Sequence, residues 1–259
     1  MLLRIFKARC PGAKIVVSAL QPPLGAGLAR TVMCRLKPDL VLVQAEATER
    51  LVQRLSCGTA FLLNGVDTAR FSPALADRKK AFRSKYSVAQ EKFVVHHVGS
   101  IKENRNLLVF REIQAQKDVQ VIIVGNTTFA AEGRVCTVLK ESGCIIWRTY
   151  FENLEEIYRL ADCYVFPAID KSSCIEMPLS VLEAMSCNLP VISTRFGALT
   201  RLFPRDGSGL IFAHTAPEMI TAIGEVRRGL DVKNRERVTS YSWEGVGKQL
   251  QEVYRTLVL

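Results

Sequence analysis

Apolar residues fall in short runs separated by polar or amphipathic stretches. Ile15-Val16-Val17, Leu40-Val41-Leu42-Val43, Phe93-Val94-Val95, Val121-Ile122-Ile123-Val124 and Tyr164-Val165-Phe166 fit buried strands. The pattern predicts strands over 13–20, 39–44 and 59–63, then over 93–98, 119–124, 144–147, 163–166, 190–193 and 210–212. Helices are predicted between them, over 24–36, 47–56, 106–113, 132–141, 154–160, 179–185, 217–228 and 243–257. Strand and helix alternate, which is the signature of βαβ units around parallel sheets. Asn64-Gly65-Val66-Asp67 marks a turn after the third strand. The polar segment 72–91 is rich in Lys and Arg, with Arg78, Lys79, Lys80, Arg83 and Lys85. It reads as a solvated linker and divides the chain into domains at 1–85 and 86–259.

The second half reads as a complete, doubly wound α/β domain. Ligands of such domains bind outside the carboxyl ends of the strands. Those ends carry Gly99-Ser100, Gly125-Asn126, Pro167-Ala168 and Ser193-Thr194. Glycine at two of them lets a ligand approach the backbone.

Composition adds bounds. With 48% hydrophobic and 23% charged residues, the 259-residue chain can bury a core. No apolar run approaches the roughly 20 residues of a membrane span. Arg4, Lys7 and Arg9 interrupt the apolar start, so a secretory leader is not expected. The net charge of +10 points to an anionic partner: a phosphorylated small molecule, an anionic membrane surface or a nucleic acid. Nucleic acid is disfavoured, because the basic residues are dispersed or in the linker and no nucleic-acid-binding motif occurs. Eight Cys without a C-x-x-C pair read as free thiols in a reducing compartment. With only three His, a zinc site is not expected.

The most informative stretch runs from Ser172 to Thr194. A strand leads through a loop to a helix that starts near Pro178, and proline fits a first turn. The free amides and positive dipole of that helix start suit a phosphate. Glu183 lies beyond the first turn, where a carboxylate can accept hydrogen bonds from sugar hydroxyls. The alternative is that Glu176 caps the helix and Glu183 is merely solvated.

Leu179-Ser180-Val181-Leu182-Glu183-Ala184-Met185, followed by Cys187-Asn188-Leu189-Pro190-Val191-Ile192, resembles the donor-site signature of the retaining GT-B glycosyltransferases of family 4, the glycosyl transferase group 1 proteins. Asn64-Gly65-Val66-Asp67 with Phe71-Ser72-Pro73, Val98-Gly99-Ser100-Ile101 and Val124-Gly125-Asn126 resemble other family segments in the family's order. The resemblance implies a complete C-terminal Rossmann-like domain with a partial N-terminal one, the terminal helix crossing back. It implies transfer of a sugar from a UDP- or GDP-sugar, with retention and without a metal or other cofactor. Gly99, Ser100, Lys102, Arg105, Asn126, Leu179, Ser180 and Glu183 would bind the donor, with Glu183 on the ribose and the helix amides on the diphosphate. Glu176 and Arg105 would serve at the reacting centre.

The acceptor stays open among a lipid-linked group, a saccharide and a protein. The expected location is cytoplasmic, with peripheral attachment to the inner membrane face as an option. Three departures bear on turnover. Glu176 stands one residue closer to Glu183 than the family spacing, with Ile175 at the family's first glutamate position. Ser100 replaces an arginine, and Arg105 replaces a lysine. The first domain is short, so a split enzyme with a missing N-terminal subunit, or a degenerate module that binds nucleotide-sugar or a protein partner without catalysis, stands as the alternative.

Overall fold

The computed structural model describes residues 8–20, 38–125 and 133–258. The predicted helix over 24–36 therefore lies outside the described residues.

Two sheets are formed, and every strand pairing within them is parallel. The first holds β1 (Val16–Ala19), β2 (Leu40–Val43) and β3 (Thr59–Phe61) in sequence order, with helix α1 (Glu46–Arg54) after β2. Helix α2 (Ala76–Lys85) follows. The second sheet contains β4 (Phe93–Val98), β5 (Val119–Val124), β6 (Ile145–Trp147), β7 (Cys163–Phe166), β8 (Val191–Ser193) and β9 (Leu210–Phe212). Its spatial order is β6-β5-β4-β7-β8-β9. Winding reverses between β4 and β7, and at such a switch point the loops diverge and leave a crevice at the carboxyl edge.

The helices of this half are α3 (Val109–Gln114), α4 (Gly133–Glu141), α5 (Leu154–Leu160), α6 (Leu179–Ser186), α7 (Leu199–Leu202), α8 (Ala216–Arg227) and α9 (Asn234–Val238). They bury two apolar layers. One holds Tyr158, Tyr164, Phe166, Val181, Leu182 and Met185, and the other holds Phe110, Ile113, Ile123, Leu139 and Met219. Both faces of the sheet are covered, which explains strands such as β7 whose successive residues are all buried. Helix α10 (Trp243–Val258) returns to the first sheet, where Val246 packs with Leu42 and Leu62. Its start is tied by a bridge from Ser242 to Val66, and the indole of Trp243 lies over Gly65, where a Cβ would come within 2.5 Å of it.

The segment 72–91 departs from the expected solvated linker. It contains α2, which packs on α5, and its Arg83 is buried. The Arg83 guanidinium donates to Asp162 Oδ2 at 2.6 Å and to the carbonyls of Leu160, Gln90 and Lys92. Lys79 donates to the other Asp162 oxygen at 2.6 Å. Charge density alone concealed a helix whose cations are bound to the large domain. The short helices α7 and α9 were also not foreseen, since four or five residues give too little periodicity to register.

Candidate functional site: the crevice at the sheet switch point

A crevice of about 490 Å³ opens at the carboxyl ends of β4 and β5, against the start of α6. Its floor is Val98-Gly99-Ser100 and Val124-Gly125, and one wall is Thr149, Tyr150, Phe151 and Leu154. The other wall is Cys174, Ile175, Pro178, Leu179, Ser180 and Glu183, and Arg105 joins the lining.

Arg105 ends a short 3-10 turn, Glu103–Arg105. Asn106 closes that turn in the left-handed region, φ 58°, and its side-chain amide donates to the Pro167 carbonyl at 3.1 Å. Asparagine tolerates this conformation better than most residues. Arg105 Nε donates to the Ser173 carbonyl at 3.1 Å. The guanidinium is thereby laid across Gly99, where a Cβ would stand 2.4 Å from Nη1.

Helix α6 is capped at Pro178 without a side-chain acceptor, and Leu179 and Ser180 form its first turn on the crevice. The first N–H groups of a helix have no partner within it and carry the positive end of the dipole. The arrangement presents a cation and helix amides to one space, which suits a diphosphate.

Glu183 is half-buried at the inner end of the same helix face. Tyr158 donates its hydroxyl to Glu183 Oε2 at 2.6 Å. Burial pushes the Glu183 carboxyl above its ordinary value, and the Tyr158 hydrogen bond and the charge of Arg70 pull the other way. Glu183 is thus neither a cap nor a freely solvated carboxylate.

Of the residues chosen from sequence, Gly99, Ser100, Arg105, Leu179, Ser180 and Glu183 come together here. Lys102 is not among the described lining residues, and Asn126 lies outside the described residues. Glu176, expected to act with Arg105, does not line this crevice. Glu176 is 4% exposed and its side chain turns toward helix α1, where Oε1 accepts the Thr48 hydroxyl. Its N–H donates to the Leu20 carbonyl at 3.0 Å, and its carbonyl accepts from Ala198 N at 2.9 Å. Burial raises the Glu176 carboxyl above its ordinary value. Ile175, one residue earlier, faces the crevice instead.

His96 and His97 are fully buried strand residues whose ring Nδ1–H groups donate to the Ile122 and Val165 carbonyls. Burial lowers both to about 3, so they are neutral. Sequence reading missed Tyr158 and the wall Thr149-Tyr150-Phe151. The wall follows the end of β6, and the strand-end rule that selected Gly99 and Gly125 would have selected it too.

Among the described residues, no group of three or more His, Cys, Asp or Glu is placed to hold a metal ion. No helix among them is long and apolar enough to cross a membrane.

Comparison with known families decides the affiliation. The family described as glycosyl transferases group 1 matches residues 92–227, more than half of the chain. The chain belongs to that family. The group 1 match contains all six strands of the large sheet and every residue named above as lining the crevice.

A D-inositol 3-phosphate glycosyltransferase of Salinispora tropica is 26% identical over 217 residues, covering 73% of this group 1 chain and 44% of the relative. A GDP-mannose-dependent monoacylated alpha-(1-6)-phosphatidylinositol monomannoside mannosyltransferase of Corynebacterium glutamicum is 24% identical over 213 residues, covering 75% and 55%. The chain spans about half the length of such relatives. Among solved structures, Anabaena HepE in complex with UDP-glucose superposes with a TM-score of 0.78 at 16% identity, covering 97% of this chain and 74% of HepE. Sucrose-phosphate synthase from Thermosynechococcus elongatus gives 0.75 at 20% identity, covering 90% and 61%. The fold is of the GT-B type.

Proposed function

We propose that this chain is the donor-binding part of a glycosyltransferase, with a UDP- or GDP-sugar in the switch-point crevice. One observation carries the reading: Arg105, the start of α6 and the Glu183 carboxylate converge on a single crevice at the carboxyl edge of the sheet. In this reading the diphosphate lies between the Arg105 guanidinium and the first amides of α6. Glu183 accepts hydrogen bonds from the ribose hydroxyls. The solved HepE complexes with UDP and UDP-glucose support a nucleotide-sugar for this fold.

Transfer replaces the diphosphate oxygen at the anomeric carbon by an acceptor oxygen, and negative charge collects on the departing diphosphate. A cation and helix amides already aimed there stabilise that charge without reorganising. The proposal includes retention of the anomeric configuration, membership of family 4 and independence of a metal. It also includes the division of the chain into an acceptor-side part, 1–85, and a donor-side part, 86–259. The acceptor class stands as lipid-linked, saccharide or protein, and the setting as the cytoplasm or its membrane face. Glu176 has no donor contact in this reading. Its place between Thr48 and Ala198 makes it a tie between the two halves.

The test is to incubate the chain with radiolabelled UDP-glucose and GDP-mannose, with and without an inositol-bearing or sugar acceptor. Saturable nucleotide binding together with glycoside formation supports the full proposal. Binding without turnover assigns the chain as a nucleotide-sugar-binding module, and absence of both rejects the donor site.

A further inference from the structure

Tyr158 occupies an unusual place for a polar side chain. It is 0% exposed and sits on α5, which packs beside α6. Its ring is boxed by other aromatics. Phe71 meets it edge-on at 5.5 Å and 89°, His96 edge-on at 5.0 Å and 85°, and Tyr164 lies stacked at 5.8 Å. Such edge and offset contacts favour one ring orientation. The hydroxyl is thereby fixed in space, and it reaches Glu183 Oε2 at 2.6 Å. Burial and the Glu183 charge hold the phenol well above its ordinary value, so it donates and does not ionise.

A carboxylate on a flexible two-carbon stem loses rotamer freedom when it binds a ligand. A partner that fixes it beforehand removes that loss. We propose that Tyr158 is a positioning residue for the nucleotide: its hydroxyl holds Oε2 of Glu183 and so turns the remaining carboxylate oxygen toward the ribose hydroxyls in the crevice. The inference rests on the donor-site reading, in which Glu183 meets the ribose. It adds a residue that itself touches no ligand. It also gives the buried aromatic box a task beyond core packing. Phe71 belongs to the segment that follows the first sheet, while His96 and Tyr164 lie on the two strands flanking the switch point. The box therefore references the Glu183 carboxylate to the sheet itself.

The test compares Tyr158→Phe with the parent chain by calorimetric titration with UDP, GDP and their 2′,3′-dideoxy counterparts. The parent chain is expected to prefer the ribose form. In Tyr158→Phe, affinity for the ribose form falls about tenfold, the size of one lost charge-assisted hydrogen bond. The dideoxy form, which has no hydroxyl for Glu183 to accept, keeps its affinity within about twofold, so the preference shrinks. A purely structural role would weaken both nucleotides alike, and that result overturns the proposal. An unchanged preference in Tyr158→Phe overturns it too.

If the parent chain binds both forms equally, the Glu183–ribose reading itself fails, which is a distinct outcome. Should Tyr158→Phe not fold, a site-specific 3-fluorotyrosine at 158 keeps the ring and alters the donor. It is then expected to shift affinity for the ribose form only, and a shift common to both forms, or none, overturns the proposal.

Discussion

Gly99 and Arg105 share one volume: the space a Cβ would take at Gly99 is filled by the Arg105 guanidinium, 2.4 Å away. Only a glycine at the end of β4 lets this cation lie across the crevice floor. Gly99→Ala therefore displaces the far end of a flexible side chain. Folding stability is expected to change by less than about 1 kcal/mol, since no backbone is struck. UDP affinity is expected to fall about tenfold or more as the cation moves off the diphosphate position. The double variant Gly99→Ala/Arg105→Ala should bind no more weakly than Arg105→Ala alone. Titrations on the three variants check this. Additive losses would show that the two residues act separately.

Glu176 and Glu183 answer differently to truncation. Glu183→Ala removes a crevice carboxylate. Glu176→Ala removes the buried acceptor of the Thr48 hydroxyl and leaves that hydroxyl unpaired. The expected result is a stability loss of about 1–3 kcal/mol for Glu176→Ala, with nucleotide affinity within about twofold of the parent. Denaturant melts and titrations read the two quantities separately. A Glu176 variant that folds normally and fails to bind would return this residue to the donor site.

Gly197 sits at φ +50°, and a Cβ there would lie 1.9 Å from the Glu176 carbonyl oxygen. Here the obstacle is backbone, unlike at Gly99. Gly197→Ala is expected to cost about 2–4 kcal/mol and to lower the melting temperature markedly. The contrast with Gly99→Ala separates a glycine proposed to serve the nucleotide from a glycine kept for the fold.

Several of these relationships were open to sequence reading, and others were closed to it. Strands β5, β7 and β9 have the bounds that their apolar runs predicted, and helix α5 has the bounds that its amphipathic pattern predicted. The carboxyl-edge rule placed Gly99 and Ser100 at the crevice, and the α6 motif placed Leu179, Ser180 and Glu183. Arg105 followed from the resemblance, while its anchoring through Ser173 is a tertiary fact. Tyr158 was hidden, because a tyrosine in the pattern of α5 reads as core and the acceptor of its hydroxyl, Glu183, lies 25 residues away. Glu176 lies away from the crevice lined by Arg105, since spacing along a loop does not say which way a side chain turns. Adjacent residues Ile175 and Glu176 face opposite sides. Arg83 was lost in a run of surface cations, and its burial depends on the positions of Asp162 and of the Leu160, Gln90 and Lys92 carbonyls.

The Arg83–Asp162 pair makes its own prediction. The Arg83 side chain is 6% exposed and also satisfies three carbonyls. Arg83→Ala is expected to destabilise the chain by about 3 kcal/mol, through loss of the pair and of the carbonyl partners. Asp162 keeps Lys79, which limits the loss. Thermal or urea unfolding measures it. A change below about 0.5 kcal/mol would show that α2 is a solvated linker after all.

The Glu183 carboxyl also sets a pH dependence. Its folded value lies above the ordinary 4.5, mainly through burial. Between 4.5 and the raised value the folded chain holds the proton more tightly than the unfolded chain, so stability falls as pH rises through that window. Nucleotide affinity is expected to run the other way. It is lost as pH falls through the raised value, because the protonated carboxyl is a poorer acceptor for ribose. Glu183→Gln should flatten this part of both profiles, and Glu176, which is shifted in the same direction, stays in place as the internal comparison. Stability curves and titrations across the window check the two signs.

In the proposed function one crevice binds a nucleoside diphosphate through Arg105, the α6 start and Glu183. The most direct measurement is calorimetric titration of the chain with UDP and GDP, repeated on Glu183→Ala after its fold is verified by near-ultraviolet circular dichroism. Saturable binding of one of the two is expected, weakened about tenfold or more in Glu183→Ala. If neither nucleotide binds at millimolar concentration, or if Glu183→Ala binds as the parent does, the account is contradicted.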